Sequence, residues 1–591
     1  MEIKRTFDLL DNMQKKYQKE DIIAGYENRA WKRYSVTEYI EAVNHFSCGL
    51  LTLGFKPGDK IVTIVNNRPE WNIIDMGMAQ IGVIHVPLYP NITEDEYRYL
   101  FTHSEARAVI SGNKVIYNRV VGAVKETGLQ EMFFTIDEIE GERSFCEIIN
   151  LGKKNVAERL PEVEKIKSKI SKDDIVTIIY TSGTTGSPKG VMLSHDNFLS
   201  NVIESTKRLS LDHNHRALSF LPLCHVFERM VNYLYQYMGI SIYYSRNLGS
   251  VVSDLREIKA HLITSVPRVL EKIFDSIMTR GNDLTGLKKK IFFWAVNLGL
   301  HHEPFQSHGS LYSLKLKIAR KLIFSKWLEA LGGEIKLIVV GGSALQERLA
   351  RVFWAAGILV QEGYGLTETS PVIAVNGYVP GELKIGTVGP VLERVIVKIA
   401  EDGEILVKGP NIMKGYYRDE EYTREVIDEQ GWFHTGDIGI LEKDKFLKIT
   451  DRKKAIFKLS GGKYIAPQVI ENHLKESDFI EQVMVVGEYQ KAPSAIISPN
   501  FDALHGWAAK HHVHFKSNED LIGFPEVNQK IRKEINKINK ILAPHEQIKK
   551  FKLVKEEWSP ETGELSATLK VKRDVVAGKY EEVMDELFEV Q

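Results

Sequence analysis

The chain has 591 residues, with 78 lysines and arginines against 78 aspartates and glutamates, so its formal net charge is zero. That length exceeds what one hydrophobic core fills, so at least two domains are expected, and the charge balance argues against a chain dominated by nucleic-acid binding. Three scattered cysteines (Cys48, Cys146, Cys224), a charged start without an apolar core, and no apolar run of the roughly 18–20 residues that span a bilayer point away from a disulfide scaffold, a signal peptide and a membrane-spanning chain. The expectation is a cytoplasmic protein, with peripheral attachment to membrane left open.

Up to about residue 170 the patterns alternate. Lys60–Val65, Gly82–Pro87 and Ala106–Ile110 read as strands, and Trp71–Gln80 and Glu94–His103 read as helices. Strands alternating with helices imply a layered α/β domain with largely parallel pairing. His85, inside an apolar strand, reads as a core histidine.

The stretch that organises the chain is Tyr180-Thr-Ser-Gly-Thr-Thr-Gly-Ser-Pro-Lys-Gly-Val191. The apolar run Ile175–Tyr180 reads as a buried strand leading into it. Gly183, Gly186 and Gly190 let the backbone approach a ligand. Thr181, Ser182, Thr184, Thr185 and Ser187 offer hydroxyls, and Lys189 adds a charge, so the segment suits a polyphosphate. It is not a Walker A loop, because Pro188 precedes the lysine.

Further on, Phe220–Arg229 reads as a strand end turning into a helix, with His225 either capping it or lining a pocket. Thr264–Arg268 reads as another strand-to-helix junction. Residues 275–330 stand out by composition: Lys288-Lys-Lys-Ile-Phe-Phe-Trp294 sets three cations beside three aromatics, and Leu314-Lys-Leu-Lys-Ile-Ala-Arg-Lys-Leu-Ile-Phe324 interleaves basic and apolar residues as a helix would. Such helices either lie on an anionic membrane or present an ordinary solvated basic face. A buried strand then runs into Gly341-Gly342-Ser343, where a planar base could meet backbone. Gln361–Ser370, Gly431–Gly439, Phe446–Lys454, Leu459–Pro467 and Thr562–Arg573 complete the set of polar, glycine-bearing blocks.

Together these strings resemble the adenylate-forming superfamily of acyl-CoA synthetases, luciferases and peptide-synthetase adenylation domains, over nearly the whole chain. Gly431–His473 resembles the narrower fatty acyl-CoA synthetase signature, and the basic insertion resembles long-chain members. The resemblance implies an α/β fold: a large N-terminal adenylation domain of layered sheets and helices (1–450) and a small mobile α+β C-terminal domain (451–591). It implies that Thr181, Ser182, Gly183, Thr184, Thr185, Gly186 and Lys189 hold the β- and γ-phosphates of ATP. Gly341, Gly342, Ser343, Tyr364 and Gly365 would hold adenine, with Tyr364 stacked on it. Thr367 would meet the α-phosphate, and Glu368 with Thr184 would hold Mg²⁺. Asp437 would bind the ribose hydroxyls and Arg452 the ribose or phosphate.

By the same resemblance, His225 and Phe227 lie beside the substrate carboxylate. Asp451 is the hinge, and Gly461, Gly462 and Lys463 face CoA. Lys570 is the catalytic lysine, with Lys572 a rival. Two departures stand out: Gly462-Lys463-Tyr464 where several members carry Gly-Glu-Tyr, and Leu565-Ser-Ala-Thr568 where Leu-Thr-Pro-Thr is usual. The implied activity is a long-chain fatty acid–CoA ligase working through an acyl-adenylate, with dimers known in the family. An acyl-AMP ligase serving a carrier protein, a synthetase for medium-chain or aryl acids, and a non-enzymatic lipid-binding member are the alternatives.

Overall fold

A computed structural model describes residues 3–181, 188–306, 309–559, 562–566 and 570–588. Two mixed sheets carry most of the N-terminal portion. The first has eight strands in the spatial order Val372–Val375, Leu359–Gly365, Leu337–Val340, Leu262–Ser265, Arg216–Ser219, Ser241–Tyr244, Ile23–Glu27 and Ala30–Tyr34. Its inner pairs are parallel and its two edge strands antiparallel. The second has seven strands, Gly415–Tyr416, Lys189–Ser194, Ile175–Thr181, Ile84–Pro87, Lys60–Ile64, Ala108–Ser111 and Phe133–Thr135. It is parallel from Ile175–Thr181 onward. A third, antiparallel sheet joins Ile396–Ile399, Glu404–Lys408, Phe433–Glu442 and Phe446–Arg452.

The strands and helices expected up to residue 180 are present, Glu94–His103 with the bounds expected and the others with ends shifted by at most two residues. The helix Pro69–Gln80 begins on its proline, whose fixed φ suits the first helical turn. All of its residues are buried. Glu94–His103 begins with a capping box in which Thr93 accepts from the Glu96 N–H and Glu96 accepts from the Thr93 N–H.

The two large sheets are tied by a buried polar cluster. Arg229, on the helix Val226–Met238, has no exposed side-chain surface. It donates to Asp75 Oδ1 on Pro69–Gln80 at 2.5 Å, to Tyr233 Oη at 2.9 Å and to Thr177 Oγ1 on the strand Ile175–Thr181 at 2.6 Å. Tyr233 Oη donates to Asp75 Oδ2 at 2.5 Å, and His85 Nδ1 lies 2.6 Å from Asp75 Oδ1. Burial works against the Asp75 charge, but Arg229 and His85 hold its carboxyl below the usual range. His85 is thus a core histidine, as expected, and burial lowers it to about 4.

The basic segment forms three helices, Pro267–Asp283, Gly286–Leu300 and Gly309–Ala319. The last continues through a π turn, Arg320–Phe324, into Ser325–Ala330. The π turn places Ile323, Phe324 and Trp327 in the core, while Arg320 donates to the carbonyls of Ala355 and Trp354.

The C-terminal portion packs a three-stranded sheet, Ile480–Val486, Ser494–Pro499 and Lys550–Leu553, against helices that include Pro467–Leu474 and Pro525–Asn539. The helix Pro467–Leu474 is held at both ends by the N-terminal portion. Asp451 Oδ2 accepts from the Gln468 N–H at 3.1 Å, supplying the cap that Ala466 lacks. At the other end Arg348 donates to the Glu476 carbonyl at 3.1 Å, and Arg268 pairs with Glu481.

Removing one partner of a buried ion pair strands the other, at roughly 3–5 kcal/mol. Arg229→Ala and Asp75→Ala each lower the first urea transition by that order, and the double variant loses clearly less than the sum. Additive losses would show that the two residues act separately.

Candidate active site

The strand Ile175–Thr181 turns back as Lys189–Ser194, with Thr181 opposite Lys189. Ser182, Gly183, Thr184, Thr185 and Gly186 lie outside the described residues. Lys189, expected within the loop, opens the returning strand instead. Its ammonium sits over the rings of Tyr422 and Tyr416. Burial and Lys454 lower its pKa, with Asp419, Glu425 and Glu368 opposing.

Tyr416 links this corner to the metal candidate. Its hydroxyl donates to Glu368 Oε1 at 2.8 Å. Burial raises the Glu368 carboxyl, with the Tyr416 bond and Arg452 opposing. Thr367 stands beside it in the 3₁₀ turn Thr367–Thr369. No group of three or more metal-ligating side chains occurs among the described residues. A single carboxylate fits Mg²⁺ that arrives on phosphate oxygens and keeps several waters; it does not fit a dedicated protein cage.

Tyr364 and Gly365 end the strand Leu359–Gly365. A side chain at Gly365 would lie 1.7 Å from the Pro371 carbonyl oxygen, so only glycine fits there. Tyr364 Oη donates to Asp437 Oδ2 at 2.7 Å. Arg452 Nε meets Asp437 Oδ1 at 2.9 Å, because Asp437 and Arg452 face each other across the antiparallel pair Phe433–Glu442 and Phe446–Arg452. Tyr364 therefore bonds the aspartate through its hydroxyl while its ring borders the site.

Gly341 follows Leu337–Val340 and bonds the Ser265 carbonyl at 3.1 Å. A side chain there would press on the Phe227 ring at 3.2 Å. Gly342 takes φ 88°, and Ser343 is exposed. Glu362, not singled out by the sequence, accepts from the Leu345 N–H at 3.4 Å and fixes the far side of this turn. Burial pushes its carboxyl up to about 8.

His225 caps the helix Val226–Met238: its Nδ1 accepts from the Phe227 N–H at 3.2 Å. That bond leaves the ring proton on Nε2. Burial and nearby Lys570 lower His225 to about 4, so it is a neutral donor at physiological pH. Capping and pocket lining are thus compatible.

Lys570 comes from the C-terminal portion. Its backbone is pinned to Ser566, by a 2.8 Å bond from the Ser566 N–H to the Lys570 carbonyl and a 3.1 Å bond from the Lys570 N–H to Ser566 Oγ. The residue keeps exposed surface, yet neighbouring protein crowds its ammonium. That surrounding protein and Arg452 lower its ammonium to about 8, with Asp437 opposing. Lys570, Arg452, Asp437 and His225 therefore share one electrostatic neighbourhood. Lys572 begins the helix Arg573–Lys579 as its N-cap and has no part in that neighbourhood. Gly461, Gly462 and Lys463 form an exposed turn between Phe457–Lys458 and Tyr464–Ile465, apart from this cluster.

A lysine lowered to about 8 carries far more free amine at neutral pH than an ordinary one near 10.4. Dilute acetic anhydride should label Lys570 roughly tenfold faster than exposed lysines such as Lys154, read by mass spectrometry of peptides. Equal rates would contradict the electrostatics above.

The profile of the AMP-binding enzyme family matches residues 11–417, and that of the AMP-binding enzyme C-terminal domain matches residues 454–591. The long-chain-fatty-acid–CoA ligase FadD15 of Mycobacterium bovis is 31% identical over 560 residues, covering 93% of this chain and 91% of its own. The peroxisomal long chain acyl-CoA synthetase 6 of Arabidopsis thaliana is 32% identical, covering 91% and 79%. Among solved structures, the adenylation domain of a carboxylate reductase from Mycobacterium chelonae superposes with a TM-score of 0.73 at 18% identity, over 99% of this chain and 91% of that one, a likeness of fold. With two profiles spanning most of its length and relatives above 30% identity over nine-tenths of it, the chain belongs to the AMP-binding enzyme family.

Proposed function

We propose that the protein is an ATP-dependent long-chain fatty acid–CoA ligase that works through an acyl-adenylate. The observation that carries this reading is that Lys570, the bonded pair Arg452–Asp437 and His225 fall within one electrostatic neighbourhood, which Glu368 shares through Arg452 and Lys189 through Glu368. Two long-chain ligases at 31–32% identity support the choice of acid and acceptor.

In the first step a carboxylate oxygen of the fatty acid attacks the α-phosphorus of ATP. The bond from that phosphorus to the bridging oxygen breaks, and pyrophosphate leaves. No protein nucleophile is needed; positioning and charge supply the catalysis. Asp437 takes the ribose hydroxyls, and Arg452 holds its carboxylate in place. Tyr364 and the Gly341–Ser343 turn hold the base. The Nε2–H of His225 donates to the substrate carboxylate, with the Phe227 ring beside it. Lys570 neutralises charge at the α-phosphate, where Thr367 also stands, and Lys189 leaves its tyrosines to meet the departing phosphates. Thr181, Ser182, Gly183, Thr184, Thr185 and Gly186 cradle those phosphates. Glu368, with Thr184, would hold Mg²⁺, and that ion would supply electrophilic charge at the phosphates.

In the second step the CoA thiolate attacks the acyl carbon and AMP leaves. The C-terminal portion, from about residue 451, turns about Asp451 and brings Gly461, Gly462 and Lys463 to the thiol. Asp451 is suited to this place because it joins the third sheet to the helix Pro467–Leu474. Burial raises its carboxyl to about 6. A cytosolic location agrees with three free cysteines among the described residues.

Lys570→Ala should cut ATP–pyrophosphate exchange by roughly two to three orders of magnitude while leaving thiolysis of supplied acyl-AMP intact. Loss of thiolysis alone would refute the assignment. Where exchange is active, its kcat/KM falls as pH rises through about 8, because the Lys570 ammonium is then lost. Lys570→Arg, charged throughout, moves that fall upward, and an unmoved limb assigns it elsewhere. Glu368→Gln should raise the Mg²⁺ concentration needed for half-maximal exchange by roughly tenfold, and an unchanged requirement removes Glu368 from the metal.

A further inference from the structure

The helix that runs from Gly309 through the π turn to Ala330 has an outer face the activity does not use. Leu311, Leu314, Ile318 and Leu322 are 65%, 56%, 43% and 44% exposed. Their spacings of three, four and four residues place them on one stripe. The opposite face, with Leu316, Ala319, Ile323 and Phe324, is buried in the core. Four neighbouring large aliphatic side chains on one exposed helix face mark an interaction surface rather than scattered surface hydrophobics.

The charge around the stripe is one-sided. From Gly286 to Ala330 the sequence has eight lysines and arginines and two acids, Glu303 and Glu329, in a chain whose net charge is zero. Glu303 is paired with Arg351. Lys315, Lys317, Lys321 and Lys326 are exposed on the same helix and form no ion pair among the described residues. The neighbouring helix Gly286–Leu300 adds exposed Leu287 and Trp294 beside Lys288 and Lys290. Lysine stems can lie along apolar surface while their ammonium groups reach outward to phosphate.

We propose that this face docks the enzyme, lying flat, on an anionic phospholipid surface. Leu311, Leu314, Ile318 and Leu322 enter the boundary between headgroups and acyl chains, and Lys315, Lys317, Lys321 and Lys326 meet lipid phosphates. Charge selects this occupant. A second copy seated through the same face would set eight cations against eight. A lipid surface offers both apolar depth and negative charge, and stable attachment takes two such signals, since a single apolar insertion binds only marginally. No helix of the described residues is long and apolar enough to cross the bilayer. The buried side of the docking helix shares its apolar cluster with residues of the site. Phe227, Val266, Val269, Ile273 and Ile277 pack onto the same apolar cluster as Phe324 and Trp327. The inference concerns attachment, and it stands whichever acid is activated.

The test is co-sedimentation of the full chain with phosphatidylcholine vesicles, with and without phosphatidylglycerol. Wild-type protein should sediment with the anionic vesicles and release in high salt. Leu314→Ser/Ile318→Ser should lose about tenfold in partition. Lys315→Gln/Lys317→Gln/Lys321→Gln should lose roughly fivefold per lysine removed, on anionic vesicles only. Both variants should keep wild-type activity on octanoate, an acid soluble without vesicles. That control separates a failed docking surface from a failed enzyme or a misfolded chain. Wild-type protein that ignores anionic vesicles, variants that bind as wild type does, or a stripe variant that instead abolishes a dimer seen by light scattering would each overturn the proposal.

Discussion

Arg229 is the point on which the N-terminal portion turns. Its guanidinium has no access to water, and each of its contacts belongs to a different element. Asp75 sits on the buried helix behind the second sheet. Thr177 lies four residues before Thr181, where the segment proposed to bind phosphate begins. Arg229 itself lies four residues after His225 and two after Phe227. The Asp75 ion pair and the Thr177 hydrogen bond of Arg229 thus hold the segment proposed to meet phosphate at a fixed distance from the one proposed to meet carboxylate. A buried pair is weak evidence for stability, because desolvation cancels much of its attraction. Its value here is geometric: a hydrophobic replacement could fill the space but could not fix three elements by directional bonds.

The site is built as a line of charges with opposite needs. Lys189 and Lys570 are cations whose surroundings oppose their charge, and Glu368 is an acid that burial drives toward neutrality. A polyphosphate carrying a divalent cation answers all three at once, giving the lysines their anion and the carboxylate its cation. Donors fixed in a poorly solvated cleft stabilise developing charge without reorganising at the moment of reaction. Asp437 is handled differently. Tyr364 and Arg452 occupy one oxygen each, so the carboxylate is held in a fixed orientation across the strand pair.

Much of this was legible because the chemistry sits in short contiguous strings. The hydroxyl and glycine run after Ile175–Tyr180, the Gly341–Ser343 turn, Tyr364–Glu368, Asp437 and Lys570 each declared a residue type and a local shape. What joins them was not legible. The Asp437–Arg452 pair depends on antiparallel register, which a bulge between Ile438 and Gly439 shifts. Glu228 and Arg229 gave no sign of their burial in the sequence, yet both are wholly buried. Glu228 is held by Ser219 and Thr264, and burial raises it to about 7. Tyr416 and Glu362 went unnoticed because their roles exist only between distant segments. In the basic insertion, Lys288–Trp294 and Leu314–Phe324 both drew the eye by composition, but which side of the second faces outward is set by the burial of Leu316, Ala319, Ile323 and Phe324 in the core.

The most direct measurement follows an atom. A fatty acid labelled with ¹⁸O in its carboxyl group is turned over with ATP, Mg²⁺ and CoA, and the products are weighed by mass spectrometry. If a carboxylate oxygen attacks the α-phosphorus, one labelled oxygen leaves on AMP and none on pyrophosphate. Label in pyrophosphate or inorganic phosphate, or AMP without label while acyl-CoA forms, would contradict the acyl-adenylate on which the account rests.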